Sequence, residues 1–287
     1  MKLIIQPADG IAPVVKAIDK ARKYLDIMIF RFDQADVEKS LKAAVARGVK
    51  VRALIAHTNK GGDKTLRKLE LRLLDSGATV ARTADDLARY HGKMMIVDNT
   101  VLHVYGFNYT KLDIEKSRSF GIVTRDKKIV AEGVKLFEAD VLRQDYDPDH
   151  PRLVVSPENS RALLTAFVRG ARKQLLIYDA QVSDNAIQKV LADRAGDGVE
   201  IRILGALEKD IKGIKVRRLD PLRLHVRAIV RDGAEAFVGS QSLRKLELEG
   251  RREVGVIVKN GGIVRKLAAT FEDDWRRSKK KAISAAE

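Results

Sequence analysis

The chain has no cysteine, which excludes a disulfide framework, a thiolate metal site and a thiol nucleophile together. That absence fits a reducing compartment, and the expected location is the cytoplasm. No apolar run approaches the roughly 20 residues that span a bilayer, and the opening MKLIIQPADG is broken by Gln6 and Pro7. Aromatic residues are only 5% of the chain, which argues against stacked bases as the main mode of recognition. No H-E-x-x-H or similar spacing occurs, so neither metal nor cofactor is expected. Acidic residues are the minority charge: 39 Asp+Glu against 55 Lys+Arg leave a net +16. Such a field attracts polyanions, either nucleic acid through its phosphate backbone or the anionic face of a membrane.

What the chain does have is a 45% hydrophobic content in 287 residues, enough for one large domain or two ordinary ones. It also repeats itself. LIIQP (Leu3 to Pro7) matches LVVSP (Leu153 to Pro157), and RGVKVRAL (Arg47 to Leu54) matches DGVEIRIL (Asp197 to Leu204), both at an offset of 150. Further on, HGKMMIVD (His91 to Asp98) pairs with HVRAIVRD (His225 to Asp232), SFGIV (Ser119 to Val123) with EVGVI, and LFEADV with TFEDDW, all at an offset of 134. The 16 additional residues of the first copy must lie between about residue 55 and His91. They are visible as TLRKLELRLLDSG, with Leu66, Leu69 and Leu73 on one helical face and Gly77 placed to end it.

Each copy alternates apolar strands with helices, among them a helix from Pro13 to Tyr24 and a strand DIMIFRF. The expected fold class is therefore α/β, two related halves covering residues 1–148 and 149–287, each a mostly parallel mixed sheet flanked by helices. DYDPDHP, Asp145 to Pro151, reads as the connection between them.

Of the five histidines, His91 and His225 sit in the frame H-x-K/R-x4-D. Composition would place a given histidine there about one or two times in a hundred, so two hits at matching places in a repeat are not chance. In an extended segment residues two apart point to one side, so His91 and Lys93 share a face. Asp98 and Asp232 follow a short apolar strand and are read as fixing a turn. His57, at a strand end, and His103, in VLHVY, are read as structural. NKGGDKT (Asn59 to Thr65) reads as a loop whose Lys60 and Lys64 can touch a phosphate backbone, and the tail RRSKKKAISAAE as a solvated, frayed end.

The duplicated motif, with FNYT in the first half and VGSQSL in the second, resembles the phospholipase D superfamily. FNYT is similar to the corresponding segment of its small bacterial nuclease branch. The resemblance covers nearly the whole chain. It implies a metal-independent phosphodiesterase or phosphatidyltransferase, with both motifs meeting in one cleft on a pseudo-twofold axis of a monomer. One histidine would attack phosphorus and the other protonate the leaving oxygen, which suits imidazole near pH 7. By the same mapping Lys93, Asn108, Arg227 and Ser240 surround the phosphate.

Several positions depart from the family pattern. Arg227 stands where lysine is usual, Tyr105 and Gly106 occupy the first GS place, and Ser242 stands where the second Asn belongs. The carboxylate that orients a catalytic histidine falls on Glu253 in the second half, giving it to His225, while the first half has Ser119 there. His91 is taken as nucleophile and His225 as acid. A nuclease is the first functional expectation, a phospholipase or cardiolipin-synthase-like transferase the second, and a module that binds nucleic acid without cutting it the third.

Overall fold

The computed structural model describes residues 1–58 and 63–280. The first half runs β1 (Lys2–Gln6), α1 (Ala12–Asp19), β2 (Tyr24–Met28), α2 (Ala35–Ala46), β3 (Lys50–Ile55), α3 (Asp63–Asp75), β4 (Thr79–Arg82), β5 (Arg89–Tyr90), β6 (Met94–Val97), β7 (Val101–Tyr105), α4 (Lys111–Glu115), β8 (Ser117–Thr124) and α5 (Lys127–Leu142). The second runs β9 (Leu153–Ser156), α6 (Ser160–Arg169), β10 (Gln174–Val182), α7 (Asn185–Gly196), β11 (Glu200–Leu207), β12 (Ile214–Arg218), β13 (Arg223–Leu224), β14 (Arg227–Arg231), β15 (Glu235–Gly239), α8 (Lys245–Glu249), β16 (Arg251–Val258), α9 (Gly261–Arg277) and β17 (Lys279–Lys280).

The repeat read from sequence is a repeat of topology. The first sheet has the order β1-β8-β7-β6-β2-β3-β4, and the second contains β9-β16-β15-β14-β10-β11-β12, the same path with each strand replaced by its counterpart. The additional helix is α3, with Leu66, Leu69 and Leu73 buried and Gly77 after it at φ +84°, a left-handed angle that suits glycine. In the second half β11 passes to β12 with no helix between.

Two expectations need correction. The sheets are mixed, but among the described residues parallel pairing is limited to the β2-β3-β4 and β10-β11-β12 flanks and to the two-residue strands β5 and β13. The strands that follow each motif return through short turns, and short turns join only antiparallel neighbours. The first helix also stops at Asp19, not Tyr24. The Asp98 carboxylate accepts the backbone N–H groups of Arg22, Lys23 and Tyr24 at 2.7–3.1 Å, holding that segment open as the lead into β2. Asp232 does the same for Arg172, Lys173 and Gln174 at 2.7–3.2 Å. Both aspartates have positive φ, as a tight turn requires.

Strand periodicity explains the layers. Met94 and Ile96 on β6 join a core cluster shared by both halves, whereas Met95 and Val97 join a cluster of the first half alone, under its outer helices. A third cluster lies under α6 and α7. The shared cluster draws in Phe137 from α5 and Phe271 and Trp275 from α9, so the two sheets are locked through these helices. Two buried ion pairs reinforce the joint symmetrically. Arg118 of β8 donates to Asp274 of α9 at 2.7 and 2.9 Å, and Arg252 of β16 lies 3.0 Å from Asp140 of α5. Beyond α9, Lys279 and Lys280 pair as β17 with β12, so the tail is tied down further than a frayed end would be. Asn59 and Lys60 lie outside the described residues, as does the tail after residue 280.

Candidate active site

The motifs are positioned by an exchange between the halves. β5, immediately before His91, pairs in parallel with β16 of the second half. β13, immediately before His225, pairs in parallel with β8 of the first. The backbone N–H of His91 then donates to Arg252 O at 2.8 Å, and that of His225 to Arg118 O at 3.2 Å. Each histidine is thus pinned to the opposite sheet.

The exchange changes which carboxylate serves which histidine. Glu253, fully buried, lies 3.0 and 3.1 Å from Nδ1 of His91, not beside His225 as the resemblance implied. His225 Nδ1 faces Asp113 of α4 at 3.2 Å. Asp113 was not singled out from sequence, although a signal was there: it follows His91 by 22 residues, as Glu247 follows His225. Asp113 is also held by the backbone N–H and side-chain amide of Asn108, at 2.9 and 2.8 Å, and by Arg223 at 2.7 Å. Asn108, mapped to the phosphate by resemblance, therefore spends an amide hydrogen on Asp113. Ser240, mapped to the phosphate too, has its hydroxyl accepting from Val254 N at 3.1 Å and lying against the Glu253 carboxylate. Ser119 is buried with its hydroxyl unpartnered, and Gly106 lies beside it, where a Cβ would come within 3.1 Å of that hydroxyl. Tyr105 is fully buried, its hydroxyl 3.0 Å from Nδ1 of His103.

Lys93 is also fully buried. Its ammonium donates to the His91 carbonyl at 2.6 Å and is nearly equidistant from both ring nitrogens, at 3.1 and 3.2 Å, so it is aimed at neither. Arg227, its counterpart, lies 3.8 Å from Asp179, a buried carboxylate that also accepts from the Ser242 hydroxyl and from Leu243 N at 2.7 Å. Asp179 has no counterpart in the first half, where Ile29 stands. The arginine has therefore acquired its own buried counter-charge, which Lys93 finds in Glu253. Phe30 closes the first side, edge-on to the His91 ring at 4.8 Å, with Arg31, Arg89 and Lys93 at 5.3–6.0 Å from its centroid.

Burial sets the protonation states. It pushes His91 down to about 4, with Lys93 adding to the effect and Glu253 opposing it. Burial also lowers Lys93, to about 8. For Glu253 burial works the other way, but His91 and Lys93 outweigh it and hold the carboxyl at about 2. His225 is lowered by burial against the pull of Asp113. The resting site therefore holds neutral His91 donating Nδ1–H to ionised Glu253, which leaves the Nε2 lone pair as its nucleophile. Among the described residues no group of His, Cys, Asp and Glu is arranged to hold a metal ion.

Residues 14–141 match the family model described as cardiolipin synthase, PLD-like domain. The match supports the phospholipase D superfamily, whose PLD-like domain the family model finds in the first half of the chain. It is 22% identical over 336 aligned positions to a probable cardiolipin synthase of Bacillus subtilis, an alignment covering 98% of this chain and 67% of that one. It is 26% identical over 129 residues to the human mitochondrial cardiolipin hydrolase, covering 45% of this chain and 50% of the relative. The chain thus spans about two thirds of the first relative's length and half of the second's. Among solved structures, a phosphatidylserine synthase of Haemophilus influenzae superposes with a TM-score of 0.73 at 11% identity, over 98% of this chain and 87% of that one. A polyphosphate kinase of Porphyromonas gingivalis superposes with a TM-score of 0.79 at 19% identity, over all of this chain and 53% of its own. At such identities the likeness to the solved structures is one of fold.

Proposed function

We propose that this phospholipase D superfamily chain cleaves or exchanges phosphodiesters through a phosphohistidine on His91. The observation that carries the reading is the pairing of neutral His91 with ionised Glu253, because it gives the imidazole one tautomer and one free lone pair. Nε2 attacks phosphorus and forms the P–N bond while the bond from phosphorus to the leaving oxygen breaks. His225, protonated and held by Asp113, donates its proton to that oxygen. In the second step His225 takes a proton from water or an acceptor alcohol, whose oxygen attacks phosphorus as the P–N bond breaks, and neutral His91 is regenerated. Arg227, with part of its side chain open to solvent, faces the charge that builds on the nonbridging oxygens, while buried Lys93 supplies a fixed positive field beneath the reacting ring.

The substrate we assign is a phospholipid. The family model and both relatives carry cardiolipin in their names. A second reading is the nuclease that the sequence put first, and the net charge of +16 favours it, as do Arg31 and Arg89 beside His91. Incubation with anionic phospholipid vesicles and with end-labelled DNA and RNA in excess EDTA, beside His91→Ala, tests both. Release of phosphatidic acid by the wild type alone is expected. Cleavage of nucleic acid instead supports the nuclease, and salt-sensitive binding with no turnover of any diester contradicts the enzyme.

A further inference from the structure

The internal repeat is its own control, because each residue around one histidine has a counterpart around the other. Beside His91, Phe30, Ala56 and Tyr90 close into an apolar cluster, each under a tenth exposed. Offsets of 150 and 134 place Ala180, Ala206 and Leu224 at the matching positions beside His225, where they are exposed or half-buried. Buried Ile55 is matched by half-buried Gly205. Tyr178 and Leu204 remain paired across β10 and β11, as Met28 and Leu54 are across β2 and β3, so the strands have not moved to fill the lost volume.

What remains is a pocket of about 680 Å³ beside His225, within the range of small-molecule sites. Gly205 is held open by the backbone: at φ +142° a Cβ would sit 1.6 Å from the Asp179 carbonyl oxygen, so no larger residue can return there. The first half has a smaller pocket of about 360 Å³ near Tyr90, but it lies against Asp140 and Arg252 and its walls include neither Phe30 nor Ala56.

The walls of the larger pocket are mainly apolar, Ala180, Ala206, Leu219, Pro221 and Leu224 among them, with Arg218, Arg223 and Asp220 as its charged residues. No aromatic ring lines it, so it offers no stacking surface to a nucleobase. Apolar walls with guanidinium groups beside them suit an acylated glycerol ester near a phosphate. We propose that this pocket receives the leaving alcohol of a glycerophospholipid diester when that alcohol itself carries acyl chains. The proposal rests on the phosphodiesterase reading, in which His225 protonates the leaving oxygen. Ala180, one of the walls, is the counterpart of Phe30, whose ring lies 4.8 Å from that of His91, so the space that Phe30 fills beside one histidine is left open on the side of the other.

Ala180→Phe and Leu224→Tyr each install the residue of the other half. The test measures phosphatidic acid released from vesicles of cardiolipin, whose leaving alcohol is acylated, and of phosphatidylglycerol, whose leaving alcohol is glycerol. Bis(p-nitrophenyl) phosphate serves as a control diester without acyl chains. The wild type should favour cardiolipin at least tenfold, and either substitution should bring the ratio near one while the control diester is turned over within threefold of the wild-type rate. Equal rates on the two lipids, an undiminished preference in both variants, parallel loss of all three substrates in both, or cleavage of oligonucleotides but of neither lipid would each overturn the pocket. A wild type that turns over no diester overturns the underlying phosphodiesterase reading instead.

Discussion

Replacing Glu253 by Gln tests the exchange between the halves, because the variant keeps the shape of a fully buried side chain and removes its charge. The lost interaction is a hydrogen bond from His91 Nδ1 to a carboxylate at 3.0 Å. Bonds of that kind contribute roughly 1.5–3 kcal/mol, and at about 1.4 kcal/mol per tenfold change this corresponds to a loss of about 10- to 150-fold in kcat/KM. There is also a signed effect. Glu253 raises the affinity of His91 for its proton, so its loss should move that group below the value of about 4 it has in the intact site. The assay is turnover of bis(p-nitrophenyl) phosphate together with ¹⁵N-detected titration of the histidines. Glu253→Gln should displace the His91 resonances and leave those of His225 close to their wild-type positions. Displacement of His225 alone would refute the exchange and return Glu253 to the histidine of its own half.

The complementary substitution, Asp113→Asn, should displace His225 in the same titration and depress turnover most for substrates with a poor leaving group, which need the acid; an unmoved His225 would contradict the pair. The pH profile of kcat/KM should peak on the acid side of neutrality. Activity is lost as pH falls through about 4 and His91 takes up a proton, and lost again as pH rises through a His225 value lowered below its ordinary one. A plateau extending above pH 8 would count against His225 as the acid. For stability, Asp274→Ala leaves Arg118 buried and uncompensated and removes the acceptor of the Tyr178 hydroxyl, so chemical denaturation should show a loss of about 3–5 kcal/mol. A loss under 1 kcal/mol would mean the pair does not hold the halves together.

The repeat, its two offsets and the additional helix were all legible in the sequence, because they are carried by periodic apolar positions such as Leu66, Leu69 and Leu73. The pairing of histidines with carboxylates was not. Offsets show which residues correspond, not which sheet they join, and the crossing is made by two-residue strands, Arg89–Tyr90 and Arg223–Leu224, too short to leave a periodic signal. Glu253 was therefore found as a residue but given to the wrong histidine. Asp113 was missed because an aspartate in a short surface helix looks like an N-terminal charge until its contact with His225 is seen. The pocket beside His225 escaped notice for a related reason: Ala180, Gly205 and Leu224 are ordinary residues, and only their buried counterparts Phe30, Ile55 and Tyr90 show that volume is missing.

The central claim is that His91 is the nucleophile, and rapid quenching tests it most directly. His225→Ala protein, lacking the group that activates water, is mixed with a diester labelled at phosphorus and carrying a p-nitrophenyl leaving group that needs no acid. It is then quenched at alkaline pH, digested and mapped by mass spectrometry. The account predicts stoichiometric label on His91. Label on His225 in the matching His91→Ala experiment, with none on His91, would contradict it.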